Sequence, residues 1–136
     1  DNLMEMLEIK ELLKNKSILY VEDLNELVEV NEEALRIICP KIYIAKDGVE
    51  GLEIYKKEKI DIVLTDINMP NMHGLELARQ IRKIDPEVSI IARTGHSIEY
   101  IKDKYQGYDE DKLFDKILHK PFDFIDLLEI IHLYIK

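Results

Sequence analysis

The feature that most constrains this chain is an alternation. Five short apolar runs, Ser17–Val21, Lys41–Ala45, Ile60–Leu64, Val88–Ala92 and Ile117–His119, alternate with segments that carry apolar residues at helical spacing. Runs rich in β-branched residues, with no polar face and with breakers at their ends, read as buried parallel strands. Strands that alternate with helices predict an α/β fold: a doubly wound parallel sheet with right-handed crossovers and helices on both faces.

The helical segments name their own inner faces. Asn25 is placed to cap a helix over 26–38, with Leu27, Val30, Ala34, Leu35 and Ile38 on one side. Asp47-Gly48 turns into a helix over 49–58, whose inner residues are Val49, Leu52, Ile54 and Tyr55. A third helix over 74–84 presents Leu75, Leu77, Ala78, Ile81 and Ile84, and a fourth runs from about Ser97 to Tyr105. The last, from Phe122 to about Ile135, is apolar beyond a single stripe. Its surplus calls for an intramolecular cover or a homodimer contact. Residues 1–14 form one more amphipathic helix, so the chain divides into an N-terminal helix or linker at 1–15 and a main domain at 16–136. The polar stretch 106–115 reads as a solvated insertion holding an extra helical turn near Lys112–Phe114.

Composition narrows the function. A formal net charge of -9 disfavours direct binding to nucleic acid or anionic membrane. The single Cys39 excludes an intrachain disulfide and suits a small core position. With no spanning segment and no signal peptide visible, the expected location is cytoplasmic and no membrane partner is expected. The start at Asp1 suggests a processed or excised product. The chain ends with its last helix, which fits either a single-domain regulator or a domain cut from a larger protein.

The chemistry sits at the strand tips. One Asp at a strand end is ordinarily a turn former or helix cap. Here Glu22 and Asp23 end the first strand, Asp66 the third, Thr94 the fourth and Lys120 the fifth. In a parallel sheet all these tips share one edge, where ligands bind. Clustered carboxylates raise one another's pKa unless a cation neutralises them. Mg²⁺ (or Mn²⁺) matches such a set, taking carboxylate oxygens from Asp23 and Asp66 and the backbone carbonyl of Asn68, with Glu22 acting through water. Asp66 then keeps an oxygen free for in-line attack on phosphorus, Lys120 adds positive charge, and the Thr94 hydroxyl meets a phosphoryl oxygen.

These residues stand in ILYVED at 18–23, DIVLTDINMPNMHG at 61–74, SIIARTG at 89–95 and KPF at 120–122. As a spaced set they resemble the receiver domain of response regulators, the switch module of bacterial two-component signalling, over about residues 16–135. The resemblance implies a flavodoxin-like (βα)5 sheet of strand order 2-1-3-4-5, here with an extra N-terminal helix. It implies that Asp66 is the phosphoacceptor of a cognate histidine kinase or phosphotransfer protein. It further implies that Glu22 and Asp23 are the acidic pair, Thr94 the switch hydroxyl and Lys120 the phosphate-binding lysine, with a cis peptide bond before Pro121. The module switches contacts with an output partner, not named by the sequence, and is not an enzyme turning over a metabolite. A receiver-fold binding module that is not phosphorylated is the alternative.

Three positions depart from the pattern. Ile117 stands where the family often has a switch aromatic. Arg93 stands where it prefers an aliphatic residue and is expected to snorkel to the sheet edge. His96, two residues past Thr94, reads as a surface histidine. A haloacid-dehalogenase-like phosphatase shares the Asp, Mg²⁺, Thr and Lys, but needs a second Asp where this chain has Asn68, which cannot exchange a proton.

Overall fold

A computed structural model describes residues 2–23 and 25–135, with side chains at 3–23 and 32–135. The elements run α1 (Asn2–Leu13), β1 (Ser17–Val21), α2 (Asn25–Ile38), β2 (Lys41–Ala45), α3 (Gly48–Lys57), β3 (Ile62–Asp66), α4 (Gly74–Ile84), β4 (Ser89–Thr94), α5 (Ile98–Lys104), α6 (Glu110–Leu113), β5 (Lys116–His119) and α7 (Phe124–Tyr134). The five strands form one sheet ordered β2-β1-β3-β4-β5, and every pair is parallel. This is the flavodoxin-like order, and its register fixes the site. Val21 pairs with Thr65 and Asp66 with Arg93, so the polar ends of β1, β3 and β4 finish level.

Each face of the sheet carries its own core. On one, Leu19, Val21, Val63, Ile90 and Ala92 pack against Tyr55 of α3, Leu77 and Ile81 of α4 and Ile101 of α5. On the other, Ile18, Tyr20, Ile62, Leu64 and Ile91 meet Ile9 and Leu13 of α1, Leu35 and Ile38 of α2, and Leu128 and Ile131 of α7. Cys39 is a buried member of this second core. The N-terminal helix is therefore packed on the body. Burying Ile9 and Leu13 contributes about 2 kcal/mol each. Its opposite edge leaves Leu3, Met4, Leu7 and Leu12 exposed, as is Leu133 of α7.

Three expectations are corrected. Val49 points outward at 42% exposure because α3 lies close to the sheet through Gly51, where a Cβ would stand 3.1 Å from Val21. Ile84, in the last turn of α4, is also exposed. The 106–115 stretch is not simply a solvated insertion, since Glu110 and Phe114 are buried and Phe114 joins the first core. Arg82 of α4 holds this stretch, donating to the Leu113 carbonyl at 3.0 Å and pairing with Asp115 at 3.1 Å. Asp115 in turn bonds both backbone groups of Ile90 at 2.8 Å. The capping role of Asn25 and the inward placing of Leu27 and Val30 concern side chains outside the described residues.

Candidate functional site

The loop after β3 is shaped by close backbone packing. Gly74 N–H donates to the Ile67 carbonyl at 2.7 Å, folding 67–74 back on the end of β3. A Cβ at Gly74 would collide with the backbone carbonyl of Asp66, so only glycine fits. Asn71 takes a left-handed φ of 67° and donates its amide to Asp47 at 2.6 Å, which ties the loop to the N-cap of α3. His73 caps α4 by accepting the Glu76 N–H on Nδ1 at 3.2 Å. These contacts leave Asp66 buried at the strand tip and aimed into a cavity of about 230 Å³.

Asp23, Asn68, Thr94, His96 and Lys120 line the same cavity. Carboxylate oxygens of Glu22, Asp23 and Asp66 all lie within 4.8 Å of one another. Lys120 Nζ stands 3.2 Å from Asp66 Oδ1 and 3.9 Å from Glu22 Oε2. Lys120 is placed by continuing the sheet ladder, its N–H donating to the Thr94 carbonyl at 2.7 Å, and its bond to Pro121 is cis. The Thr94 hydroxyl accepts the His96 N–H at 3.0 Å. His96 is exposed and stacks on Tyr100 at 4.1 Å.

Glu22 is fully buried, and burial pushes its carboxyl up to about 8. The Asp66 carboxylate pushes the same way, while Arg93 and Lys120 pull down. Its ionic neighbours lie within 4 Å, but neither Glu22 oxygen nor Asp66 Oδ1 has a hydrogen bond of good geometry among the described residues. Buried carboxylate oxygens without donors suit a hard divalent cation, as does an all-oxygen donor set. Glu22, Asp23 and Asp66 therefore fit Mg²⁺ or Mn²⁺.

Two contacts at the site differ from, or go beyond, what the sequence predicts. Arg93 does not snorkel: it is 4% exposed and turns inward, donating to the Tyr20 hydroxyl at 2.6 Å and standing 3.3 Å from Glu22 Oε2. The signal was there, because Tyr20 is an odd residue in an aliphatic strand and shares Arg93's sheet face. The Tyr105 hydroxyl donates to the Asn68 side-chain oxygen, and Tyr105 packs on His73 with ring centroids 4.5 Å apart. Ile117 of β5 is half-buried against the first core.

A family model described as the response regulator receiver domain matches residues 18–132. The response regulator receiver protein CpdR of Brucella abortus is 34% identical over 114 residues, which is 83% of this chain and 91% of that protein. A response regulator receiver protein of Anaeromyxobacter is 37% identical over 78 residues, 57% of this chain but only 33% of its own length. Response regulator TrrA of Thermotoga maritima, solved in complex with Mg²⁺ and BeF, has a TM-score of 0.76 at 31% identity over 88% of this chain and 99% of that one.

Proposed function

The chain belongs to the response regulator receiver family, and we propose on that premise that Asp66 accepts a phosphoryl group from a phosphohistidine of a histidine kinase or phosphotransfer protein. An Asp66 carboxylate oxygen attacks phosphorus, the P–O bond forms, and the P–N bond to the donor imidazole breaks. The imidazole leaves with the bonding electron pair and takes up a proton. The observation that carries this reading is the convergence of an acceptor carboxylate, two further carboxylates and a lysine ammonium 3.2 Å from the acceptor, all on one sheet edge.

Each residue has a role set by its place. Glu22, Asp23, Asp66 and the backbone carbonyl of Asn68 would hold Mg²⁺ or Mn²⁺, which supplies charge neutralisation for the phosphoryl oxygens. The Lys120 ammonium pairs with a phosphoryl oxygen once Asp66 carries an acyl phosphate. The Thr94 hydroxyl gives up its contact with the His96 N–H and donates to another. Replacing the carboxylate by an acyl phosphate adds one net negative charge and three phosphoryl oxygens to this edge, which shifts the segments after Thr94 and around Asn68, and with them the contacts made by an output partner. No metabolite is turned over. The exposed apolar edge of α1 with Leu133 is the place where a homodimer contact would form.

The test is the intact mass of the protein after incubation with Mg²⁺ and a small phosphoryl donor, beside an Asp66→Asn control. A single labile phosphoryl adduct in the parent alone is the expected result. An adduct that survives in the control moves the acceptor to another residue. No adduct in either, with Mg²⁺ binding shown separately, leaves a receiver-fold binding module.

A further inference from the structure

Arg93 has no part in the transfer proposed above, yet it is buried at its centre. Its guanidinium lies between the Tyr20 ring, 5.0 Å from the centroid, and the Phe122 ring at 5.5 Å, two residues past Lys120. One hydrogen bond to Tyr20 and one ionic contact to Glu22 are its polar partners, and Nε has none among the described residues. Burying a guanidinium costs several kcal/mol, and packing alone is served better by an apolar side chain of the same volume. The charge, rather than the shape, is what this position supplies.

What it supplies becomes clear from the charges on the edge. Glu22, Asp23 and Asp66 bring three carboxylates together, and among the described residues Lys120 is the other cation within 4 Å of them. Arg93 adds a second positive charge, and guanidinium does not deprotonate in proteins. We propose that Arg93 is a built-in counter-cation of the metal site: a positioning residue that holds Glu22 beside Tyr20 and supplies part of the neutralisation that a divalent ion would otherwise provide. The acidic cluster is then stable without metal, and the ion binds more weakly than it would beside an aliphatic residue. This inference rests on the metal-binding reading of Glu22, Asp23 and Asp66.

The experiment is a calorimetric titration of Mg²⁺ into the full chain and into R93M, R93Q and R93K. The pH is held well above the value of about 8 at which Glu22 gives up its proton, so that no carboxyl proton has to leave as the ion enters, and melting curves are taken with and without metal. Both neutral variants are expected to bind Mg²⁺ roughly five- to tenfold tighter, since a nearby like charge has been removed. Without metal they melt lower than the parent, and Mg²⁺ raises their melting temperature by more than it raises the parent's. R93K, which keeps the charge, stays near the parent affinity. A purely packing role predicts no change in Mg²⁺ affinity in R93M, and equal or weaker binding in the neutral variants overturns the proposal. If R93M does not fold, R93Q carries the comparison because it keeps a donor for Tyr20. Variants that fold only with Mg²⁺ support the proposal, and variants that fold in neither condition assign Arg93 a structural role and overturn it. Absence of Mg²⁺ binding in the parent and all variants removes the premise itself, a pattern distinct from equal binding throughout.

Discussion

The site edge has two halves, and they are built differently. The half from β1 and β3 is acidic: Glu22, Asp23 and Asp66 follow directly on apolar strands and need nothing beyond strand ends to bring them together. The half from β4 and β5 is cationic and depends on distant partners. Arg93 turns to Tyr20 across β3, and Lys120 is positioned by a backbone bond to Thr94. Beyond Thr94, the stretch to β5 returns to the acidic half through Tyr105 and Asn68. The contrast separates two tasks. On the function proposed above, the acidic half gathers charge for an ion and an acceptor, while the cationic half balances that charge and links the edge to α5.

Substitutions on each half should therefore fail in different ways. The largest effect is expected from Lys120→Ala on the cationic half. The variant should keep its fold and bind Mg²⁺, but lose the shape change on phosphoryl loading, read as the difference in amide spectra with and without a phosphoryl mimic. A variant that switches normally would remove Lys120 from its role. Next comes Asp23→Asn on the acidic half, expected to weaken Mg²⁺ by about tenfold or more in a calorimetric titration, by analogy with the loss of groups that support a metal. An unchanged affinity would mean that the ion sits elsewhere.

A pH series sharpens the comparison further. The folded chain holds a proton on Glu22 up to about 8, whereas the unfolded chain releases it near the ordinary value of 4.5. The folded state thus binds more protons between those values, and stability must fall as pH rises through that window. With a chelator present, the melting temperature of the parent should decline across it, and Glu22→Gln should flatten the decline. A parent curve that is already flat would show that Arg93 and Lys120 offset the burial of Glu22. The smallest effect is expected from Tyr105→Phe, which removes one hydrogen bond, about 1 kcal/mol at most. Hydrogen exchange at 67–74 should rise in this variant while Mg²⁺ affinity changes little. If exchange is unaltered, the bond to Asn68 does not restrain the loop.

The fold was legible because its signals are local. Five apolar runs and the helices between them carry their periodicities in neighbouring residues, and the parallel sheet follows from their alternation. Asp66 was legible for the same reason: an apolar strand stops at it. What escaped is set by contacts across the sheet or between loops. An Arg at a strand end reads as snorkelling until a partner on the same face is known, and Tyr20 stands two strands away. Tyr105 and Asn68 meet only because α5 ends beside the loop after β3. Hydrophobicity alone places Val49 inward, but Gly51 brings α3 close to Val21 of the sheet and Val49 lies on another side of the helix. His73 does not belong to the usual capping residues, so its bond to Glu76 N–H gave no sequence signal.

The two tyrosines at the site have an optical consequence. The chain has seven tyrosines and no tryptophan, so no indole emission masks their signal. Tyr20 reports on the buried guanidinium and Tyr105 on the loop that carries Asn68, one phenol for each half of the edge. Near-ultraviolet absorbance or tyrosine emission of the unlabelled protein would therefore record ion and phosphoryl binding if the proposed function holds. Removing Tyr20 and Tyr105 in turn assigns each change to its half.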